Sequence, residues 1–301
     1  MSWTLEVKSA QVETYVPAVD SEGTDSPLLP FWDGDQPARG WRQLVLGGVR
    51  VDSLTLEQVV RHVVDSALAG RGGTIVTPNL DHLALVRQGA FDRRLFDEAD
   101  LAVPDGAPLV WASRLKNDPL PERVAGSDLL PALCRAAAAA ELPVAFLGGR
   151  PGAASKLAAE MRGRHPGLHV ATVICPTMGF EQRQREFEEI TQTLVDADPA
   201  IVFTGLGAPK QETVNDRLRR RLPGSWLLGC GAAIDMHAGL VTRAPGWMQR
   251  SGTEWVWRLA KEPRRLAHRY LVRDLPFFVR LIAESAVDRS GHDGLEHRAV
   301  R

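Results

Sequence analysis

Cysteine and tyrosine are scarce in this 301-residue chain, with three of the first and two of the second. Cys134, Cys175 and Cys230 stand far apart, which excludes a disulfide framework and a paired-cysteine metal site. A reducing, cytoplasmic setting is the expectation. An excess of one charge is also lacking: 36 Lys and Arg face 37 Asp and Glu, a formal net charge of −1. Nothing global therefore draws the chain to nucleic acid. No apolar run approaches the ~18 residues that a membrane span needs. The amino terminus lacks the basic-then-apolar order of a secretory signal. The eight histidines show no paired ligand spacing, so no catalytic metal is expected.

What is present is enough apolar sequence for one large α/β core, 44% of the residues. Residues 1–42 carry Pro, Gly, Ser and Asp clusters with little periodicity and read as a flexible or loosely docked extension. Residues 43–243 have the texture of a catalytic α/β domain, and 244–301 that of a basic, aromatic helical appendage with a tail. Within the central region "LVLGGVRVDSL" reads as a strand or hairpin. "GTIVTPN", "ADLAVPDG", "PVAFLGG", "HVATVIC", "AIVFTGLG" and "SWLLGCG" then alternate with amphipathic helical segments. Short unbroken apolar strands between such helices predict a Rossmann-like, mainly parallel sheet covered on both faces. In such sheets ligands bind beyond the carboxyl ends of the strands. Thr77, Asn79, Asp105, Gly148, Gly149, the Gly205–Glu212 turn and Asp235 all fall there.

Two turns at this rim, "FLGGRPGAA" and "FTGLGAPKQE", are glycine-bearing. Either the glycines only make tight turns beside a solvated Lys210, or they let the backbone approach a phosphate at a helix start. A second such turn at one rim favours phosphate, with Lys210 and Gln211 as a compact diphosphate grip. Lys210 stands where a dinucleotide fingerprint has its third glycine, which argues against a nicotinamide-dependent oxidoreductase. A non-catalytic nucleotide-sugar sensor is the other rival reading.

Asp105, between Pro104 and Gly106, is a turn residue or a general base. Thr77 and Asn79 are helix caps or sugar-orienting groups. Arg123 is a surface charge or an anion holder, Asp128 a helix-start residue, and Asp235 a helix cap or a ribose acceptor. Asp196 and Asp198 resemble a metal-binding pair by letters. They precede their strand, so they belong to the opposite edge, as a helix stop. His237 reads as a lone polar residue.

From Arg243 to Arg273 eight Lys or Arg face only Glu254 and Glu262, with Trp247, Trp255, Trp257 and Tyr270 interleaved. Arg265, Arg269 and Arg273 recur at four-residue spacing after Pro263, the expected start of a second helix. One cationic helix face results. This composition suits an anionic membrane surface, or a solvated hairpin docked by its Trp residues.

These motifs, in this order, resemble the WecG/TagA/CpsF glycosyltransferases (glycosyltransferase family 26). The matching stretches are "TPNLDHLALVRQ", "ADLAVPDGAPLVW", "ERVAGSDLL", "VAFLGGRPG", "FTGLGAPKQE" and "GCGAAIDMHAGLVTRAPGWMQRSGTEWVWRLAKEPRRLAHRY". Val214 stands where the family typically has Trp, and Thr253 where it has Leu. The resemblance implies inverting, metal-independent transfer of a sugar from a UDP-sugar to a polyprenyl-diphosphate-linked sugar, peripherally on the inner face of a bacterial membrane. No cofactor is implied beyond the donor substrate. It also implies Asp105 as base, Thr77 and Asn79 in the substrate pocket, and Arg123 and Gln211 near the donor phosphates. Arg258 and Arg265 match functional arginines of the appendage. The sequence leaves the sugar, and assembly as a homo-oligomer, open.

Overall fold

Six of the apolar runs form parallel strands of one sheet: β3 (Gly73–Val76), β4 (Leu101–Ala102), β5 (Val144–Gly148), β6 (Val170–Ile174), β7 (Ile201–Gly205) and β8 (Trp226–Gly229). Their spatial order is β4-β3-β8-β7-β5-β6. The structure is a computed structural model that describes residues 40–296, without the side chains of 249, 250, 265 and 288–296. The extension expected for 1–42 lies, up to residue 39, outside the described residues.

Strands β3, β5 and β8 are buried along their whole length, as strands covered on both faces must be. A separate antiparallel hairpin precedes them, β1 (Gln43–Leu46) and β2 (Val49–Asp52). Its turn is Gly47-Gly48, with φ +55° and +84°. Two consecutive positive φ angles make the tight turn that matches strand twist, and glycine takes them without strain.

Helices cover the sheet. These are α1 (Leu56–Leu68), α2 (Leu80–Arg87), α3 (Arg94–Asp97), α4 (Ala107–Leu115), α5 (Gly126–Ala139), α6 (Ala153–Arg164), α7 (Gln184–Ala197) and α8 (Lys210–Arg219). Helix α1 starts in a capping box between Thr55 and Gln58. Helix α7 stops at Asp198, whose left-handed φ of 42° ends it just before β7. The Asp196–Asp198 pair is thus a helix stop at the edge opposite the site. One apolar cluster joins α1, α5 and α6 to the sheet around the stacked rings of Phe146 and Phe203. Another gathers α7 and α8 around Phe180 and Leu218.

The carboxyl-terminal region continues as α9 (Ala233–His237), α10 (Gly246–Arg250), α11 (Glu254–Lys261) and α12 (Pro263–Ala267). A π-helical segment, His268–Asp274, then leads into α13 (Leu275–Glu296). Pro263 opens α12, where its missing N–H costs nothing. Phe277 and Leu281 of α13 are buried in the cluster that holds the β1–β2 hairpin and α4. Among the described residues no helix is long and apolar enough to cross a membrane.

Candidate active site

Because all six strands run parallel, their carboxyl ends share one rim, and two adjoining cavities open there. The first, of about 540 Å³, is lined by Thr77, Asn79, Asp105, Arg123, Gln211 and Arg258. The second, of about 1070 Å³, is lined by Gly148, Gly149, Gly205, Lys210, Asp235 and Arg258. Gly207, Gly231, Ala232 and Met236 belong to both walls. Strand order explains the contact: β8 lies between β3 and β7, so its Gly231 turn separates the Asp105 side from the Lys210 side.

Asp105 is held by its backbone from two directions. Its N–H donates to the carbonyl of Pro78 at 2.8 Å, and the preceding Pro104 carbonyl accepts from Val124 N–H at 2.8 Å. The turns after β3 and β4 and the approach to α5 are thereby locked together. Gly106, with φ +103°, then turns the chain into α4. No hydrogen bond or ion pair reaches the Asp105 carboxylate among the described residues. Burial raises its pKa from 3.8 to about 6; Arg123 and Arg258 pull it down, while Glu254 and Asp128 push it up. A carboxylate poised there can take a proton near neutral pH.

The neighbours of Asp105 are tied to the overlying helix α11. Arg123 pairs with Asp128 at 2.7 Å and with Glu254 at 3.4 Å. Arg243 pairs with Asp128 at 2.6 Å and approaches Glu254 at 4.0 Å. This square of charges fixes the start of α11 above the first turn of α5. Arg123 is therefore a brace as well as a lining group. Gly252, just before α11, lies so close to α4 that a Cβ there would meet Ala107 Cβ at 2.4 Å. Arg258 of α11 projects onto both cavities, and its guanidinium has no ion-pair or hydrogen-bond partner among the described residues.

The expected single grip of Lys210 and Gln211 is not what the structure assembles. Consecutive helical residues diverge by roughly 100°, so Lys210 faces the second cavity and Gln211 the first. Lys210 pairs with Glu181 at 3.2 Å. Gln211 is buried: its Oε1 accepts from Gly231 N–H at 2.9 Å, and its Nε2 donates to Glu212 Oε1 at 2.9 Å. Burial raises the Glu212 pKa from 4.5 to about 7, against the hydrogen bond from Gln211. Glu212 stands in the first turn of α8 and is buried there.

Other assignments resolve similarly. Asn79 caps α2 through its Oδ1, accepting from His82 N–H at 3.1 Å, and also lines the first cavity. Thr77 is buried at the same wall. Asp235 accepts from Arg150 N–H at 2.8 Å and so fastens the turn after β5. Gly148 and Gly205 are glycines because their surroundings are tight: a Cβ on Gly148 would meet the Gly205 carbonyl oxygen at 2.6 Å, and one on Gly205 would meet Ile234 Cδ1 at 2.7 Å. At Gly207 and Gly231, φ is +75° and +56° with open space beside each, so both leave room for a ligand. His237 Nε2 lies 2.7 Å from the carbonyl of Ser127 and joins α9 to α5.

The cationic helix face is corrected. Arg269 pairs with Asp81 at 3.0 Å, Arg273 also pairs with Asp81, and both reach Asp274. Long-range partners on α2 turn two of the three arginines inward. Burial and the nearby Asp81 raise the Asp274 pKa to about 6, while Arg269 and Arg273 oppose them. His82 beside this cluster is driven down to about 3 by burial and then by Arg269, and stays neutral. The Arg265 assignment concerns a side chain outside those described. Sequence reasoning missed Glu254 and the aromatic wall of Trp111, Tyr270 and Phe278 beside Asp105, and Arg243 at the second cavity, since only tertiary packing brings them there. Among the described residues no three His, Cys, Asp or Glu side chains gather as metal ligands.

A family model described as the glycosyl transferase WecG/TagA/CpsF family matches residues 44–291. The chain is 30% identical over 216 residues to an N-acetylglucosaminyldiphosphoundecaprenol N-acetyl-beta-D-mannosaminyltransferase of Bacillus spizizenii, covering 71% of this chain and 81% of the relative. A Bacillus subtilis protein of the same name is 27% identical over 210 residues, 70% of this chain and 78% of its own.

Proposed function

The chain belongs to the WecG/TagA/CpsF family of glycosyltransferases, and from that premise we propose that it moves a hexose, of the N-acetylmannosamine type, from a UDP-sugar to a polyprenyl-diphosphate-linked sugar. The relatives' names supply the sugar and acceptor classes. The observation that carries the mechanism is Asp105: a carboxylate with no hydrogen-bond or ion-pair partner among the described residues, its pKa raised by burial to about 6, in a cavity that shares Arg258 with its neighbour.

The reaction is a single displacement. Asp105 takes the proton of the acceptor hydroxyl as its oxygen bonds to the anomeric carbon. The bond from that carbon to the diphosphate oxygen breaks, and UDP departs with the electron pair. Inversion follows. Charge gathering on the diphosphate is met by Arg258 and by the open Gly207 turn at the mouth of α8. The nucleotide occupies the larger cavity, beside Lys210 and Trp257, and the acceptor the smaller one. No step is assigned to a metal.

Leu271, Val272, Leu275 and Val279 are exposed along one side of the π-helical segment and α13. We place this strip against the membrane that carries the acceptor, on its inner face. The test is UDP release across a panel of UDP-sugars, with a short-chain polyprenyl-diphosphate N-acetylglucosamine as acceptor and a chelator present. Release that requires the acceptor and survives the chelator supports the reading. UDP-sugar binding without acceptor-dependent release would leave a sensor instead.

A further inference from the structure

Glu212 is a buried carboxylic acid that the mechanism above does not use. It stands in the first turn of α8, 3% exposed, and one of its oxygens, Oε2, is buried with no hydrogen-bond partner among the described residues. Its other oxygen accepts the hydrogen bond from Gln211 Nε2. Burying an acid in this manner costs free energy, and burial raises its pKa to about 7. An apolar residue would fill the space at less cost.

The geometry shows what the acid does there. A glutamine amide presents chemically opposite ends, an acceptor oxygen and a donor nitrogen. Gly231 N–H requires the oxygen, and Gln211 Oε1 meets it at 2.9 Å. Glu212 Oε1 requires the nitrogen. Both partners therefore select the same one of two amide orientations. The Gln211 side chain also packs so tightly on β8 that a Cβ at Gly229 would lie 2.8 Å from its Nε2. Gly231 itself has φ +56° and sits in the wall common to both cavities.

We propose that Glu212 is a positioning residue for the transfer, acting through Gln211. By fixing the amide it holds the Gly231 turn between the two cavities. It also leaves the second Nε2 hydrogen of Gln211 available to a ligand on the Asp105 side. Glu212 touches no substrate and exchanges no proton in the reaction. This inference rests on the reading of the rim as the transfer site.

The test is a double-mutant cycle with volume-conserving variants, Gln211→Met, Glu212→Met and both together, beside Glu212→Gln. Kinetics of UDP release give the first readout. Each single Met variant is expected to lower kcat/KM about 10- to 100-fold, and the double variant to match Gln211→Met within about twofold, since coupled residues are not additive. Glu212→Gln keeps an acceptor oxygen for Gln211 and restores activity to within a few-fold of the parent. Losses that multiply in the double variant, or a Glu212→Gln as impaired as Glu212→Met, overturn the proposal.

The second readout needs no turnover. Hydrogen exchange at the Gly231 amide, followed by NMR on the full chain, is expected to quicken at least tenfold in Glu212→Met and to stay slow in Glu212→Gln. Equal protection in the two variants refutes the proposal. An unaltered chain that shows this protection but releases no UDP would instead refute the functional reading.

Discussion

Asp105→Asn sets function against stability in one residue. Folding raises the Asp105 pKa from 3.8 to about 6, so the folded chain holds this proton more tightly than the unfolded chain does. The stabilisation is whole below pH 3.8 and is lost as pH rises through about 6. Above that, the native state carries a charged, half-buried carboxylate at a cost. At 1.36 kcal/mol per pKa unit, the interval amounts to about 3 kcal/mol. Asparagine has the same shape and no charge, so the variant escapes the cost. Urea unfolding at pH 8 should find it more stable by up to about 3 kcal/mol, and at pH 4 by nearly nothing. The same substitution removes the proposed base, and UDP release should fall about 10²- to 10⁴-fold. In the parent chain, activity should climb as pH rises through about 6. A folded Asp105→Asn that keeps full turnover, or that is less stable than its parent at pH 8, would refute the reasoning.

Three further outcomes follow from the closing helices. Asp81→Asn removes the shared partner of Arg269 and Arg273, which are about a quarter exposed (27% and 25%); with that solvent screening, the loss should be about 2 kcal/mol in urea unfolding. An unchanged midpoint would contradict the inward pairing. Gly252→Ala adds a methyl 2.4 Å from Ala107 Cβ at a φ of +74°, which should lift α11 off α4 and raise substrate KM several-fold, with about 1 kcal/mol of backbone strain. Kinetics identical to the parent's would mean that α11 does not close the site. Replacing the exposed Leu271, Val272 and Val279 together by Ser should weaken sedimentation with anionic liposomes and leave UDP release in the presence of a water-soluble acceptor intact. Equal sedimentation would detach this strip from the membrane.

Much of the scaffold is legible in the sequence because its signals are local. Runs such as Val144–Gly148 and Ile201–Gly205 are continuous and apolar, and only a strand buried on both faces uses such a run. Asp105 and Thr77 stand just beyond such runs, so the strand-end rule alone brings them to one rim. What the rim does with them is set at long range. Strand order places the Gly231 turn beside Asp105, and no periodicity encodes the β3–β8 pairing. Lys210 and Gln211 are neighbours by letter yet serve different cavities, since α8 turns them apart. Arg269 and Arg273 have the spacing of a solvent-facing stripe, but Asp81, almost two hundred residues earlier, draws them inward. Glu254 reads as one acid in a basic stretch until folding sets it against Arg123.

The central claim is that one carboxylate and one leaving group act across the shared wall of two cavities, in a single displacement. The anomeric configuration of the newly formed linkage, read by NMR of the product made from an α-linked UDP-sugar, tests it most directly. The account predicts a β linkage, inverted relative to the donor. An α linkage would require a second displacement or a different nucleophile, and would contradict the role given to Asp105.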